Sequence, residues 1–448
     1  MNSTPASTGN RWAIALAGVV VMLCLGTVYS WSLFTNSLVA GLGLSTQDAT
    51  LAFELAIFFL GLGAVFGGRW QDRVGPRTVT IVGVVLWGIG VLLAGLGTEG
   101  LGKWWLYLTY GVIAGFGNGM AYVTPVAMVT KWFPDRRGLG SGMVVMGFGL
   151  GAFVYNQIVS RLPLYKFAAK PAAAFVAAKA AAIKAGTTFD PAQYALPAGA
   201  FHGIMMLFAV SGIVFIVLGG LCAFAMKNPP ENYSVAGASV AATAATHTPS
   251  YTPGEALAMP QLYGLWLLLF LNVTAGILII SNAVPIYAEL TGATPAAAAQ
   301  VYGVLAVFNG LGRFFWGWIS DRLGRAMTYT VMYLVQAVIF FLMANTGGVT
   351  AVIIYFAIVL LCYGGGFGVM PSFNADFFGT RYMGQIYGMI LTAWGVGGIV
   401  GPFIAAKVRD VTGSYHGALI PVAIMLIVAA VIPFFVKKPA GAPRPATT

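Results

Sequence analysis

Arg313 is the residue of this chain that most needs a chemical reason. It stands in VFNGLGRFFWGWISDRLGR (307–325), eight residues before Asp321, with apolar sequence on both sides; on a helix that is roughly 12 Å of depth. Holding an ionised arginine inside a membrane costs from about 2.5 to more than 10 kcal/mol. Its head group must therefore face protein or water and meet an anion or a hydrogen-bonding partner. The stretch from 297 to 319 contains no acid, and Asn309 lies four residues earlier, on the same helical face. A planar guanidinium matches a carboxylate through two parallel hydrogen bonds. The pattern points to anion binding, against the alternative of a packing arginine bonded to carbonyls and a remote acid.

Aromatic residues can complete such a pocket. Tyr29 and Trp31 follow Gly26, Tyr122 follows Asn118, and Tyr363 precedes a triple glycine. Tyrosine offers an apolar wall together with a hydroxyl donor, which suits a small carboxylate, although any of these rings can equally serve interhelical packing. Glu54 is the clearest acid within an apolar stretch. A desolvated carboxyl can exchange protons near neutral pH, so Glu54 is the proton-coupling candidate, with an interfacial or ion-paired carboxylate as the alternative. The three cysteines show no ligand spacing, and no nucleophile motif, metal cluster or phosphate loop lies at membrane depth. No catalytic residue, metal or cofactor is expected.

These residues have to be held by membrane helices. Only 8% of the 448 residues are charged and 59% are hydrophobic, against about 25% charged in soluble domains, and the mean hydropathy is +0.85. The net charge of +11 reports topology first and is no nucleic-acid signature. The apolar stretch after Arg11 is longer than a signal-peptide core, so the first segment is expected to stay as a helix. Twelve apolar stretches are long enough to span: 12–38, 49–69, 79–98, 104–129, 138–162 and 201–226, then 262–290, 297–319, 327–345, 349–371, 385–406 and 416–436. Residues 1–226 and 262–436 thus form two six-helix units, joined by an Ala/Thr/Ser/Pro-rich linker at 227–261 and followed by a tail at 437–448. An Ala/Lys-rich insertion occupies 163–200. It reads as helical with Pro171 at a helix start, either as a solvated addition or as a basic cap that draws anions to the entrance.

The two units repeat each other. GRWQDRVGPR (68–77) and GWISDRLGRA (317–326) both fit G-x-x-x-D-R-x-G at a displacement of 249, and WFPDRRGLGSGM (132–143) echoes FFGTRYMGQIYGM (377–389). Such duplication is a recurring signature of transporters. Asp72 and Asp321 of the repeated motif can cap neighbouring helix N-termini or pair with arginines, and with Arg73 and Arg322 they read as a latch. Fourteen of the 23 Lys and Arg fall on the side of the N-terminus and eight on the other, five of those in the loop after helix 5. Both termini are therefore expected in the cytoplasm. Asp376, near the inner end of helix 10, reads as a partner for Arg381.

Two six-helix halves with this loop motif resemble the major facilitator superfamily over nearly the whole chain. NRWAIALAGVVVMLCLGTVYSWSLF, KWFPDRRGLGSG, TPGEALAMPQLYGLW, NGLGRFFWGWISDRLGR and PSFNADFFGTRYMGQIYG further resemble the oxalate/formate antiporter family, which includes bacterial monocarboxylate transporters. The resemblance implies an all-α fold of twelve transmembrane helices in two pseudo-symmetric bundles, rocking about a midplane site. It implies that Arg313 matches an essential substrate-binding arginine on helix 8, and that Tyr122 and Tyr363 match substrate-facing aromatics of helices 4 and 10. Family members that handle the dianion oxalate are expected to place a second basic residue in helix 11. Here QIYGMILTAWGVGGIVGPFIAA (385–406) has none, and Trp394 stands near that place.

One buried cation balances one carboxylate and leaves a dicarboxylate undercompensated. The expectation is therefore a monomeric transporter of small monocarboxylates (lactate, pyruvate, glycolate or formate) in a bacterial inner membrane. Arg313, Asn309, Asn118, Tyr29, Tyr122, Tyr363 and Trp394 would bind the substrate. Oxalate/formate exchange is the nearest rival; a neutral-solute facilitator and a membrane-bound sensor are more distant. Proton symport, anion exchange and uniport are all compatible with these residues.

Overall fold

The computed structural model describes residues 10–230, 233, 235, 250–345, 347–412 and 415–439. Among the described residues, ten helices are long and apolar enough to cross a membrane. They correspond to twelve spans. Pro76–Trp132 runs 57 residues but turns at Gly102, where φ is 72°, a conformation that glycine alone enters freely. The span that carries Arg313 is interrupted at Ala306, so neither of its pieces reads as one long apolar helix.

The spans are α1 (Arg11–Gly26 with Ser32–Leu42), α2 (Thr46–Val74), α3 (76–101), α4 (103–132), α5 (Arg137–Val159) and α6 (Ala200–Ala223) in the first half. The second half comprises α7 (Pro260–Ser281 with Ala283–Thr291), α8 (Pro295–Leu305 with Val307–Leu323), α9 (Arg325–Asn345), α10 (Val349–Phe378), α11 (Met383–Thr412) and α12 (His416–Ala429 with Ile432–Phe435). α10 outruns its expected end near 371 by two turns, carrying Pro371 inside it. In a spanning helix, neighbouring groups re-satisfy a carbonyl that proline leaves free.

α1 breaks for a visible reason. A Cβ on Gly26 would fall 1.9 Å from the Phe148 carbonyl oxygen, so α5 passes directly against the α1 backbone. The chain tightens to a 3-10 turn over Thr27–Ser30. The carbonyls released nearby are taken up by side chains: Cys24 O accepts from Thr27 at 2.7 Å and from Trp87 at 3.2 Å, and Leu25 O accepts from Asn118 at 2.9 Å.

The insertion helix begins at Pro163, with Pro171 in its interior, and runs to Ala185. The expected start at Pro171 is eight residues late, because Pro163 already fills the first-turn position where a missing N–H costs nothing. This helix lies over the end of α1: Tyr165 donates to Leu33 O at 3.4 Å and Lys179 to Leu44 O at 3.2 Å. In the linker, Thr252 and Glu255 form a capping box on the short helix Pro253–Leu257. Residues 236–249 of the linker and 440–448 of the tail lie outside the described residues.

The halves meet along α2–α11 and α5–α8. The α2–α11 contact is uneven. A Cβ on Gly68 would fall 2.0 Å from Gly384 O and one on Gly388 2.4 Å from Ala64 O, whereas Gly61 and Gly395 would clear the facing backbone by 3.7 and 3.8 Å. These helices press together at the end where α2 finishes and ease apart toward the other. The tight end is the latch side here, and the other the distal side; an even number of spans puts both ends of the helical region on the latch side.

Candidate substrate site

Arg313 sits wholly buried on α8. Its Nε donates to Asn309 Oδ1 at 3.2 Å, while Nη1 and Nη2 have no hydrogen-bond partner. The guanidinium lies between two rings, Phe148 of α5 at 5.3 Å and Phe367 of α10 at 4.7 Å from its centre. One ring comes from each half. Cation–π contacts of this kind contribute about 2 kcal/mol or more when desolvated, but they leave the N–H groups unpaired. A buried donor without a partner costs about 1–3 kcal/mol, more on a charged group. Among the described residues Arg313 makes no ion pair, so the alternative of a packing arginine tied to carbonyls and an acid does not describe it.

Close backbone approach brings these rings in. A Cβ on Gly149 would fall 2.5 Å from Gly310 Cα and 3.0 Å from Arg313 Nε; one on Gly368 would fall 2.1 Å from Arg313 O. α5 and α10 therefore lie almost directly on the α8 backbone, and the phenylalanine beside each of those glycines reaches the guanidinium.

Trp394 of α11 closes the cage. Its ring centre is 4.7 Å from Phe367, 5.4 Å from Phe148, 5.5 Å from Tyr122 and 6.0 Å from Tyr29. Tyr29 of α1 and Tyr363 of α10 join the halves, their hydroxyls 3.0 Å apart. The Tyr122 hydroxyl, the Tyr387 hydroxyl and Trp394 Nε1 are buried without partners. Six expected residues thus gather at one place: Arg313, Asn309, Tyr29, Tyr122, Tyr363 and Trp394. Asn118 lies one turn from Tyr122 and spends its amide on the α1 backbone, with Oδ1 unpaired. Glu54 is exposed on α2 and makes no ion pair among the described residues.

Three members of the cage escaped the sequence reading: Phe148, Phe367 and Tyr387. The phenylalanines had a signal, since each is flanked by glycines in GFGLG and GGGFG. Tyr387 had one as well, lying seven residues, or two turns, before Trp394 on the same face.

Residues 13–162, 180–402 and 265–448 match the model of the Major Facilitator Superfamily. The chain belongs to this superfamily. It is a multi-pass transporter and not an enzyme. The oxalate:formate antiporter of Oxalobacter formigenes is 28% identical to it over 440 residues, covering 97% of this chain and 93% of that one. Apicoplast pyruvate carrier 1 of Toxoplasma gondii is 24% identical over 483 residues, covering 92% and 87%. The solved E. coli fucose:proton symporter FucP aligns with a TM-score of 0.68 at 14% identity, covering 95% of this chain and all of that one, which speaks for the superfamily fold alone.

In this superfamily member the repeated loop motif ties one half to the other. Asp72, at the end of α2, accepts from the N–H groups of Gly384 at 3.1 Å and Gln385 at 2.8 Å, the first turn of α11. Asp321, at the end of α8, accepts from Gly138 and Leu139, both at 2.8 Å, the first turn of α5. Each carboxylate thus meets the positive end of a helix in the opposite half. The arginines differ from expectation. Arg322 stacks on Trp318 at 4.5 Å and Arg73 is exposed; Arg325 instead reaches Asp321 at 2.8 Å and Asp376 at 3.0 Å. Arg322, one place after Asp321, points about 100° away round α8, whereas Arg325 lies beyond the turn at Gly324, where φ is 83°, and reaches Asp321 from the start of α9. Asp376 also pairs with Arg137 across the halves at 2.9 Å, so it joins the bundles and does not organise its own loop with Arg381.

These contacts carry a prediction. Asp321→Ala should raise the rate at which a maleimide labels a cysteine placed at Ser141, by about ten-fold or more given 1.5–3 kcal/mol for a charge-assisted bond. Ser141 is buried on α5 and its Oγ lies 2.9 Å from that of Ser372 on α10. The measurement uses a protein whose three native cysteines are serine. An unchanged rate would remove Asp321 from the closure of this side.

Proposed function

We propose that this transporter carries small organic anions, monocarboxylates in preference to dicarboxylates, by alternating access around Arg313. The observation that carries the reading is a fully buried guanidinium whose Nη1 and Nη2 are unpaired in a cage without acid or second cation among the described residues. The substrate carboxylate takes those two donors, Asn309 holds Nε from behind, and Tyr29, Tyr122, Tyr363 and Trp394 wall the rest. Binding neutralises the charge that α5, α8 and α10 enclose. The α2–α11 gap on the distal side then closes while the Asp72 and Asp321 caps release.

The latch side is the cytoplasmic one, with both termini, and the membrane is the bacterial inner membrane; the excess of Lys and Arg on that side supports this. Residues 1–226 and 262–436 act as the two rocking bodies of a single chain, joined by 227–261. Glu54 is the acid available to a co-transported proton on the distal approach. The relatives support organic anions as the cargo: one is named for oxalate and formate, another for pyruvate. The antiporter keeps oxalate/formate exchange as the second reading, and Trp394 in place of a cation argues against it.

A thermal-shift screen of the purified protein tests the reading. Lactate, pyruvate, formate and oxalate are each added across a pH series. A ligand at 100 times its dissociation constant stabilises by about 2.7 kcal/mol, so monocarboxylates should raise the unfolding temperature by several degrees. A shift with oxalate alone would favour exchange, and none with any carboxylate would end the anion assignment.

A further inference from the structure

The loop between α5 and α6 breaks the charge asymmetry of the rest of the chain, carrying five of the eight basic residues on the distal side. No acid stands between residues 136 and 189 to answer them. Lys179 spends its ammonium on Leu44 O. Arg161, Lys166 and Lys170 are exposed and make no ion pair among the described residues; Arg161 Nη2 donates to Gln157 Oε1 at 3.1 Å. The neighbouring helices set their depth. α5 runs 23 residues from Arg137 to Val159, roughly 34 Å. That length uses up a hydrocarbon core of about 30 Å and leaves Arg161 at the level of the distal headgroups. Tyr165 donates to Leu33 O at 3.4 Å, so the start of the insertion helix is held there against α1. Apolar residues at this level stay uncovered. Val154 and Ile158 of α5 are 42% and 56% exposed, and the exposed stripe continues into Leu162, Leu164 and Phe167. Leu164 and Phe167 share one face of the insertion helix and Lys166 and Lys170 the next, while Ala168 and Ala172 are buried on the face turned to the protein. An open groove of about 640 Å³ lies among Arg161, Pro163, Leu164, Lys166 and Phe167. A wholly solvated cap has no reason to show leucine and phenylalanine beside its lysines. A helix that meets a bilayer does, with apolar side chains among the acyl chains and cations at the phosphates.

We propose that Arg161, Lys166 and Lys170, with Leu162, Leu164 and Phe167, form a binding surface for an anionic phospholipid of the distal leaflet. The phosphate lies among the three cations, and the acyl chains run down the Val154 and Ile158 side of α5. Each Lys or Arg near an anionic membrane surface contributes about five-fold, so three together favour an anionic over a zwitterionic lipid by about ten- to hundred-fold. Tyr165 and Lys179 tie the same helix to the backbone of the outer part of α1 and the turn after it. A lipid held at the start of this helix therefore steadies the outer part of α1 beside α5.

A local probe tests this. A bimane fluorophore is placed on Ile158→Cys, directly beneath the charges, in a protein whose three native cysteines are serine. In phosphatidylcholine vesicles, quenching by brominated phosphatidylglycerol is compared with quenching by brominated phosphatidylcholine at equal mole fraction. With the charges in place, phosphatidylglycerol should be favoured at Ile158 by about ten-fold or more. A control probe on Ile424→Cys, exposed on α12, should show a ratio near one. Arg161→Gln, Lys166→Gln and Lys170→Gln together should bring the Ile158 ratio down to that of the control. A ratio near one at Ile158 with the charges present, or an unchanged ratio without them, overturns the proposal. So does slower lactate uptake by the triple variant in pure phosphatidylcholine with no lipid preference at Ile158, which would assign the charges to drawing substrate in. Should the triple variant fail to fold, salt decides. Raising it from about 0.1 to 1 M shortens the Debye length from about 10 to 3 Å, and the Ile158 ratio must fall at least three-fold. A ratio insensitive to salt overturns the proposal.

Discussion

Arg313→Lys should reduce carboxylate uptake by about ten- to hundred-fold in a protein that still folds and reaches the membrane. The charge survives the exchange, so long-range attraction survives with it. What goes is the planar fork. Nη1 and Nη2 are the two donors available to one carboxylate; the guanidinium centre lies 5.3 Å from the Phe148 ring and 4.7 Å from the Phe367 ring while Nε is anchored on Asn309. A lysine ammonium is a compact, strongly hydrated charge; it cannot fill the slot between two rings, hold Asn309 and grip both oxygens together. Losing one charge-assisted bond is worth about 1.5–3 kcal/mol, and each 1.4 kcal/mol is ten-fold. Uptake into liposomes, normalised to protein that elutes as a single folded species, checks this. Wild-type rates from such a variant would end the assignment of Arg313.

Trp394→Lys should turn the preference toward dicarboxylates. Trp394 and Arg313 lie against the same two phenylalanines, so a cation at 394 would be within reach of the far end of a small dianion held by Arg313. Two unit charges about 7 Å apart at an effective dielectric near 20 interact by about 2 kcal/mol. Without an anion that interaction is repulsive and adds to the cost of a second buried charge, so the empty variant should unfold more easily. With a dianion bound, both charges are answered. Oxalate binding relative to lactate should rise by at least ten-fold, and oxalate should restore much of the lost thermal stability. Trp394→Phe, which changes size without charge, should not show this gain. An unchanged oxalate-to-lactate ratio in Trp394→Lys would mean that charge at this position does not set valence.

Much of the scaffold was legible beforehand. Spans follow from runs of apolar residues, because a bilayer imposes one length on every crossing. Where the reading slipped, the physics was tertiary. α10 continues through Pro371 with side chains of neighbouring helices on its carbonyls, Tyr329 of α9 on Gly366 O and Ser141 of α5 on Gly368 O, and α1 breaks at Gly26 because the α5 backbone passes there. The site was half visible. Arg313 announced itself by depth, and Asn309 by a four-residue spacing. Phe148, Phe367 and Tyr387 lay hidden among 30 phenylalanines and 19 tyrosines, since an apolar ring in an apolar helix carries no local cost that marks it.

The sequence by itself determined that this chain is a duplicated set of membrane helices, that one arginine lies too deep to be interfacial, and that helix 11 brings no second cation through 385–406. These properties depend on local composition and on the lipid, which is the same everywhere along the chain. The tertiary structure alone decided that Nη1 and Nη2 of Arg313 are unpaired and that rings from both halves enclose them. It also decided that Arg325 joins Asp321 and Asp376, which Arg322 does not. Such pairings join residues up to hundreds of positions apart. They are settled by which glycine faces let two backbones touch and which way each helix is turned, and neither is written in any one segment.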